Sequence, residues 1–139
     1  MLRQILINKT DRKVFALDEN GDLISKYDCS TAYYPGYNEE GLPYSNAEDG
    51  LYEGNNVYAE IYNDEEREPA YGCAYINIDD RGRALHGGGS CLDDPYEDYQ
   101  ELVPTLGCFR MYNADIVELA QMFLDAESSG FKPYIVVES

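Results

Sequence analysis

Cys108 and His86 are the residues of this chain with the clearest chemical potential. His86 is the only histidine among 139 residues and stands in Ala84-Leu85-His86-Gly87-Gly88-Gly89-Ser90. Cys108 follows in Thr105-Leu106-Gly107-Cys108-Phe109-Arg110-Met111. A thiol at neutral pH is mostly protonated, and an adjacent imidazole activates it by taking the proton. The two are therefore a candidate nucleophile and base for acyl transfer. Gly107 lets main chain approach a reacting carbonyl closely, and the amides around Gly107 and Cys108 would form part of an oxyanion hole. Arg110 lies two residues on, so in an extended segment it points to the same side as Cys108. There it would stabilise a thiolate or hold a substrate carboxylate.

Other chemistries fit less well. Cys91, five residues from His86, lacks the glycine and arginine context of Cys108 and reads as an incidental or buried thiol. His86-Gly87-Gly88-Gly89 is like an esterase oxyanion segment, but no Gly-x-Ser-x-Gly elbow accompanies it. No lysine follows the glycines, which removes a phosphate loop. Asp79/Asp80 and Asp93/Asp94 lack EF-hand spacing. The four cysteines (Cys29, Cys73, Cys91, Cys108) show no CxxC spacing and no zinc-finger histidine. No metal and no cofactor are expected.

Bulk composition bounds the partners. A formal charge of -17 and a pI near 4.1 exclude nucleic acid as a partner, because its phosphates would be repelled, and disfavour anionic membrane surfaces. No apolar run reaches the roughly 18 residues that span a bilayer. The first residues, Met1-Leu2-Arg3-Gln4-Ile5-Leu6-Ile7-Asn8, lack a signal peptide's long apolar core and cleavage site. Apolar residues make up 44% of the chain, enough for one core, so a single domain over residues 1–139 is expected.

The elements that must position the pair follow from periodicity. Residues 4–8, 13–17 and 23–29 read as an opening β-meander, with Asn20-Gly21 as a turn. Residues 30–56 are rich in Tyr, Gly and Pro and read as long loops walling a cleft. Strands are expected at 57–62, 74–78 and 83–85, the last two joined by the turn Asp79-Asp80-Arg81-Gly82, and at 134–137. His86 then falls at a strand end, on rigid backbone. The acidic segment 91–101 reads as a loop over the site. Asn113 is a good N-cap for a helix over 114–127 whose Ile116, Leu119, Ala120 and Phe123 form an apolar stripe. The sum is a mixed, β-dominated α+β domain with one main helix. In so acidic a chain, nearby carboxylates are expected to raise the His86 pKa, so that acyl transfer would rise through a histidine titration at about 6–7.

At these residues the chain resembles the L,D-transpeptidase catalytic-domain family. Leu85-His86-Gly87 matches the family's His-Gly pair at a strand end, and Thr105-x-Gly107-Cys108-Phe109-Arg110-Met111 with Asn113-Ala114-Asp115 matches its cysteine segment and following helix. The match covers about residues 83–124. It implies a sheet or sandwich domain that works on peptidoglycan stem peptides. Cys108 would attack the peptide carbonyl and form a thioester, and His86 would be the base, with its other ring nitrogen oriented by a carbonyl such as that of Gly87. Thr105, Gly107 and Arg110 would lie on the substrate side. The acyl group would pass to an amine (transpeptidation or exchange) or to water (L,D-carboxypeptidase activity). The family's usual histidine two residues before the cysteine is Leu106 here. On that departure rests the alternative of a degenerate domain binding cell-wall peptides or a partner protein without turnover. Action on the cell wall, periplasmic or extracellular, would need export by another route; otherwise the chain is expected in the cytoplasm.

Overall fold

The computed structural model describes residues 1–32 and 46–139. Alternating apolar residues set its first sheet. In β1 (Leu2–Asn8), Leu2, Ile5 and Ile7 face inward. The odd spacing between Leu2 and Ile5 is absorbed by a bulge between Leu2 and Gln4, which resets the alternation. β2 (Lys13–Asp18) and β3 (Leu23–Asp28) continue the meander expected from sequence. β4 (Gly50–Tyr52) and β9 (Tyr134–Glu138) complete five strands in the order β3-β2-β1-β9-β4. β1 and β9 run parallel, and the other neighbours are antiparallel.

The second sheet has the order β5-β6-β7-β8, built from β5 (Tyr58–Ile61), β6 (Ala74–Asn77), β7 (Ala84–His86) and β8 (Phe109–Arg110). Its two faces differ. Register partners Ile76, Leu85 and Phe109 are fully buried on one face, and partners Tyr75, His86 and Arg110 lie on the other. The apolar face packs against α1 (Asn113–Ser128), the single helix of the described residues, through Ile116, Leu119, Ala120, Phe123 and Ala126. The inward residues of the first sheet, Ile5, Ile7, Val14, Ala16, Ile135 and Val137, join the same cluster. Among the described residues one core therefore serves nine strands in two sheets and one helix, the β-dominated architecture expected. Among the described residues no helix is long and apolar enough to cross a membrane.

Two expectations need correction, and one short strand carried no expectation. β4 falls inside 30–56, which the Tyr/Gly/Pro composition marked as loop. It has no pattern of its own and exists because Leu51 and Tyr52 pair with Val136 and Ile135 of β9. β8 is two residues long and forms only by pairing in parallel with β7. Asn113 is not the N-cap. Tyr112 occupies that position without a side-chain cap bond, and Asn113 is the buried first residue of the helix. The remainder of the loop expectation, residues 33–45, lies outside the described residues.

Candidate active site

The parallel pairing of β7 with β8 brings the two chemical segments together. His86 is opposite Arg110 in the register, and the main-chain amide of Ala84, two residues before His86, hydrogen-bonds the Cys108 thiol. Cys108 immediately precedes β8, and continuing the register places it opposite Ala84 and diagonal to His86, on the face turned away from the helix.

His86 is 3% exposed, with the edge of the Tyr71 ring packed against it at 5.0 Å between centroids. Its Nδ1 lies 2.7 Å from the Gly87 carbonyl oxygen. A carbonyl only accepts, so Nδ1 carries the proton and Nε2 keeps its lone pair. Burial pushes the imidazole pKa down to about 4; the Gly87 hydrogen bond opposes this and the Arg110 charge adds to it. The upward shift expected from the chain's acidity is therefore corrected. A net charge is a property of a solvated surface, whereas this ring sits in a dry interior beside a guanidinium. His86 is a neutral acceptor throughout the physiological range.

The thiol is also held neutral. Burial raises the Cys108 pKa, against the Ala84 amide and the charges of Arg110 and Arg83, with Asp79 acting in the same sense as burial. Arg83 and Asp79 form a nearly buried ion pair, Nε to Oδ2 at 2.6 Å. The turn before the thiol is tied from both sides. The Thr105 hydroxyl donates to the Cys108 carbonyl, and the Gly107 amide donates to Thr105 Oγ1 at 3.3 Å. The Gly107 N–H, considered for an oxyanion hole, is thus engaged within the turn. Asn46 Nδ2 donates to the carbonyls of Gly107 (3.1 Å) and Cys108 (2.9 Å), while the Asn46 carbonyl accepts from Arg83 at 3.0 Å. A cleft of about 180 Å³ is lined by Tyr62, Tyr71, Tyr75, Asn77, Gly82 and Ala84, of which Tyr71 packs on His86 and Tyr75 is its register partner.

Arg110 is where the sequence reading and the structure differ most in emphasis. Its guanidinium is buried and donates to the carbonyls of Val103 (2.6 Å), Pro104 (2.9 Å) and Ala70 (3.3 Å), with Nε 3.4 Å from that of Gly87. It pins three chain segments around the site. Arg110→Ala leaves these carbonyls without their donor and is expected to lower unfolding stability by about 3 kcal/mol. Urea denaturation checks this; a change under 1 kcal/mol would mean that the loops hold one another without Arg110.

Three residues outside the motifs, Asn46, Tyr71 and Gln100, emerge as site architecture, together with Asn113 from the cysteine segment. Gln100 is 1% exposed, donates to the carbonyls of Gly88 (3.1 Å) and Met111 (3.0 Å), and accepts from the Asn113 amide (2.9 Å). A glutamine inside an acidic loop carries no sequence signal of burial. Asn113 was visible, with the wrong task attached.

The comparisons bear on the family and the fold. A family model described as the L,D-transpeptidase catalytic domain (YkuD) matches residues 2–129. No curated protein matches the sequence. The crystal structure of the L,D-transpeptidase from Xylanimonas cellulosilytica DSM 15894 is similar at TM-score 0.54 and 15% identity, over 97% of this chain and 59% of that one. At that identity the likeness concerns the fold, and this chain spans about three fifths of the neighbour's length.

Proposed function

The chain belongs to the L,D-transpeptidase catalytic-domain family, and from that premise we propose that it is a cysteine-dependent acyltransferase acting on peptidoglycan stem peptides, with Cys108 as nucleophile and His86 as base. The observation that carries this reading is the His86 tautomer. The bond from Nδ1 to Gly87 leaves Nε2 unprotonated on the sheet face that Cys108 shares. Both groups are neutral at rest, so the proton moves as the bond forms. Cys108 Sγ attacks the peptide carbonyl while its proton passes to Nε2. The tetrahedral intermediate collapses with C–N cleavage, and His86 returns the proton to the departing amine. In the second half, an acceptor amine or water gives its proton to Nε2 as it attacks the thioester, and the C–S bond breaks. Thiolate and proton then recombine. The tyrosine-lined cleft beside Ala84 would receive the peptide, and Arg110 would act on it through the loops it pins. Such an enzyme works where the cell wall is, outside the cytoplasm.

Incubation with purified muropeptides, with and without an added D-amino acid, tests this by mass spectrometry. Exchange or cross-linked products, and a carbapenem adduct on Cys108, are expected. Peptide binding with neither product nor adduct would favour the non-catalytic binding domain instead.

A further inference from the structure

We infer that Asn113 is a positioning residue that fixes the tautomer of His86 by locking one peptide plane. The inference rests on the reading of His86 as base. The Gly87 carbonyl that accepts from His86 Nδ1 and the Gly88 N–H belong to the same peptide unit. That N–H donates to Asn113 Oδ1 at 3.0 Å. A trans peptide is planar with its C=O and N–H pointing oppositely, so holding the N–H aims the C=O. The neighbouring amides are held, Gly87 N–H by the Tyr71 carbonyl (2.9 Å) and Gly89 N–H by the Pro69 carbonyl (2.7 Å), while the backbone between them is intrinsically free to turn. Both flanking residues are glycine, and Gly88 already has φ of +76°. A flip would turn an N–H toward Nδ1. The ring would then accept at Nδ1 and carry its proton on Nε2, presenting a hydrogen where a base must present a lone pair.

The carboxamide is built to hold this position. Asn113 is 1% exposed, and its Nδ2 donates to the carbonyls of Pro95 (2.8 Å) and Glu97 (2.7 Å), which fixes the orientation of Oδ1. A Cβ on Gly87 would lie 2.1 Å from that Oδ1 and one on Gly72 2.2 Å from it, so the oxygen fills the space that two side chains would need. Gln100 holds the next carbonyl, that of Gly88. Arg110 Nε also reaches the Gly87 oxygen, but at 3.4 Å, beyond the usual N–H···O range. Asn113 is therefore the restraint that acts on the N–H end of this peptide itself. The acidic loop that supplies Pro95 and Glu97 is thereby linked to the base through Asn113.

The single histidine makes the test direct. Protein labelled with ¹⁵N-histidine gives one pair of ring-nitrogen resonances, and these report which nitrogen is protonated. Wild type is expected as one Nδ1–H tautomer at pH 7, with a Gly88 amide protected from exchange. Asn113→Ala is expected to shift to mixed or Nε2–H forms, with Cys108 alkylation slowed about ten-fold. A folded Asn113→Ala protein with the Nδ1–H tautomer intact overturns the inference. If Asn113→Ala does not fold, wild type decides: mixed tautomers or an unprotected Gly88 amide overturn it, and their opposites support it. A displaced tautomer with unchanged thiol reactivity supports the lock and removes His86 as the base for Cys108.

Discussion

Cys108→Ala is expected to reduce turnover of stem-peptide substrates by about four orders of magnitude or more, to the uncatalysed background. A covalent route leaves no reduced version of itself when the nucleophile is gone, in contrast to the loss of a supporting group. Cys91→Ala is expected to retain activity, because Cys91 is exposed and outside the paired strands that carry Cys108 and His86. Cys29 and Cys73 are buried thiols whose pKa values are raised chiefly by burial, to about 12 for Cys29. Product analysis of the four single variants, with mapping of the acylated cysteine, separates them. Loss of turnover in Cys91→Ala, or activity surviving in Cys108→Ala, would assign the nucleophile elsewhere.

The pH dependence should be unlike that of a surface histidine. With His86 pushed down to about 4, the base is already neutral at pH 6–7, and no inflection in kcat/KM is expected there. The acid limb lies near 4. The Cys108 thiol is raised, so its alkylation should still be climbing at pH 9. His86→Gln is expected to slow acylation at pH 7 by about 10²-fold. The same shift governs stability. An unfolded histidine takes up its proton near 6.5 and the folded one only near 4, so stability present above the unfolded value is lost as pH falls between them. The loss amounts to about 3 kcal/mol and should be absent in His86→Gln. Activity and denaturation profiles of both proteins check this. An activity inflection at 6–7 that vanishes in His86→Gln would show a solvated, charged imidazole and refute the buried neutral one.

What the sequence made legible was whatever is coded locally. The meander at β1–β3, the turn at Asp79–Gly82 and the stripe of α1 rest on alternation, turn residues and helical spacing. The His-Gly and Gly-Cys segments were equally visible, since glycine next to a reactive side chain is a local feature. β4 and β8 were not, because each is a strand only through its partner. The same holds for the residues around the pair. Gln100 and Asn46 are ordinary amides in loops until main chain from distant segments arrives to be bonded. The direction of the His86 pKa was missed for a related reason. Composition counts charges over the whole surface, while burial depends on which few groups the fold puts within a few ångströms.

The place of β9 between β1 and β4 affects how the protein is made. Residues 134–138 supply an interior strand of the first sheet, pairing on one side with the first strand and on the other with residues 50–52. During synthesis on a ribosome, β1, β2 and β3 can assemble as they emerge, being joined by short turns. β4 has no neighbour to pair with until β9 has cleared the exit tunnel. The Asn46 segment that holds the Cys108 turn lies just before β4, so the thiol's surroundings should be completed only after β9 has emerged. Closure of so long a loop is slow, and until then an open strand edge is available to other chains.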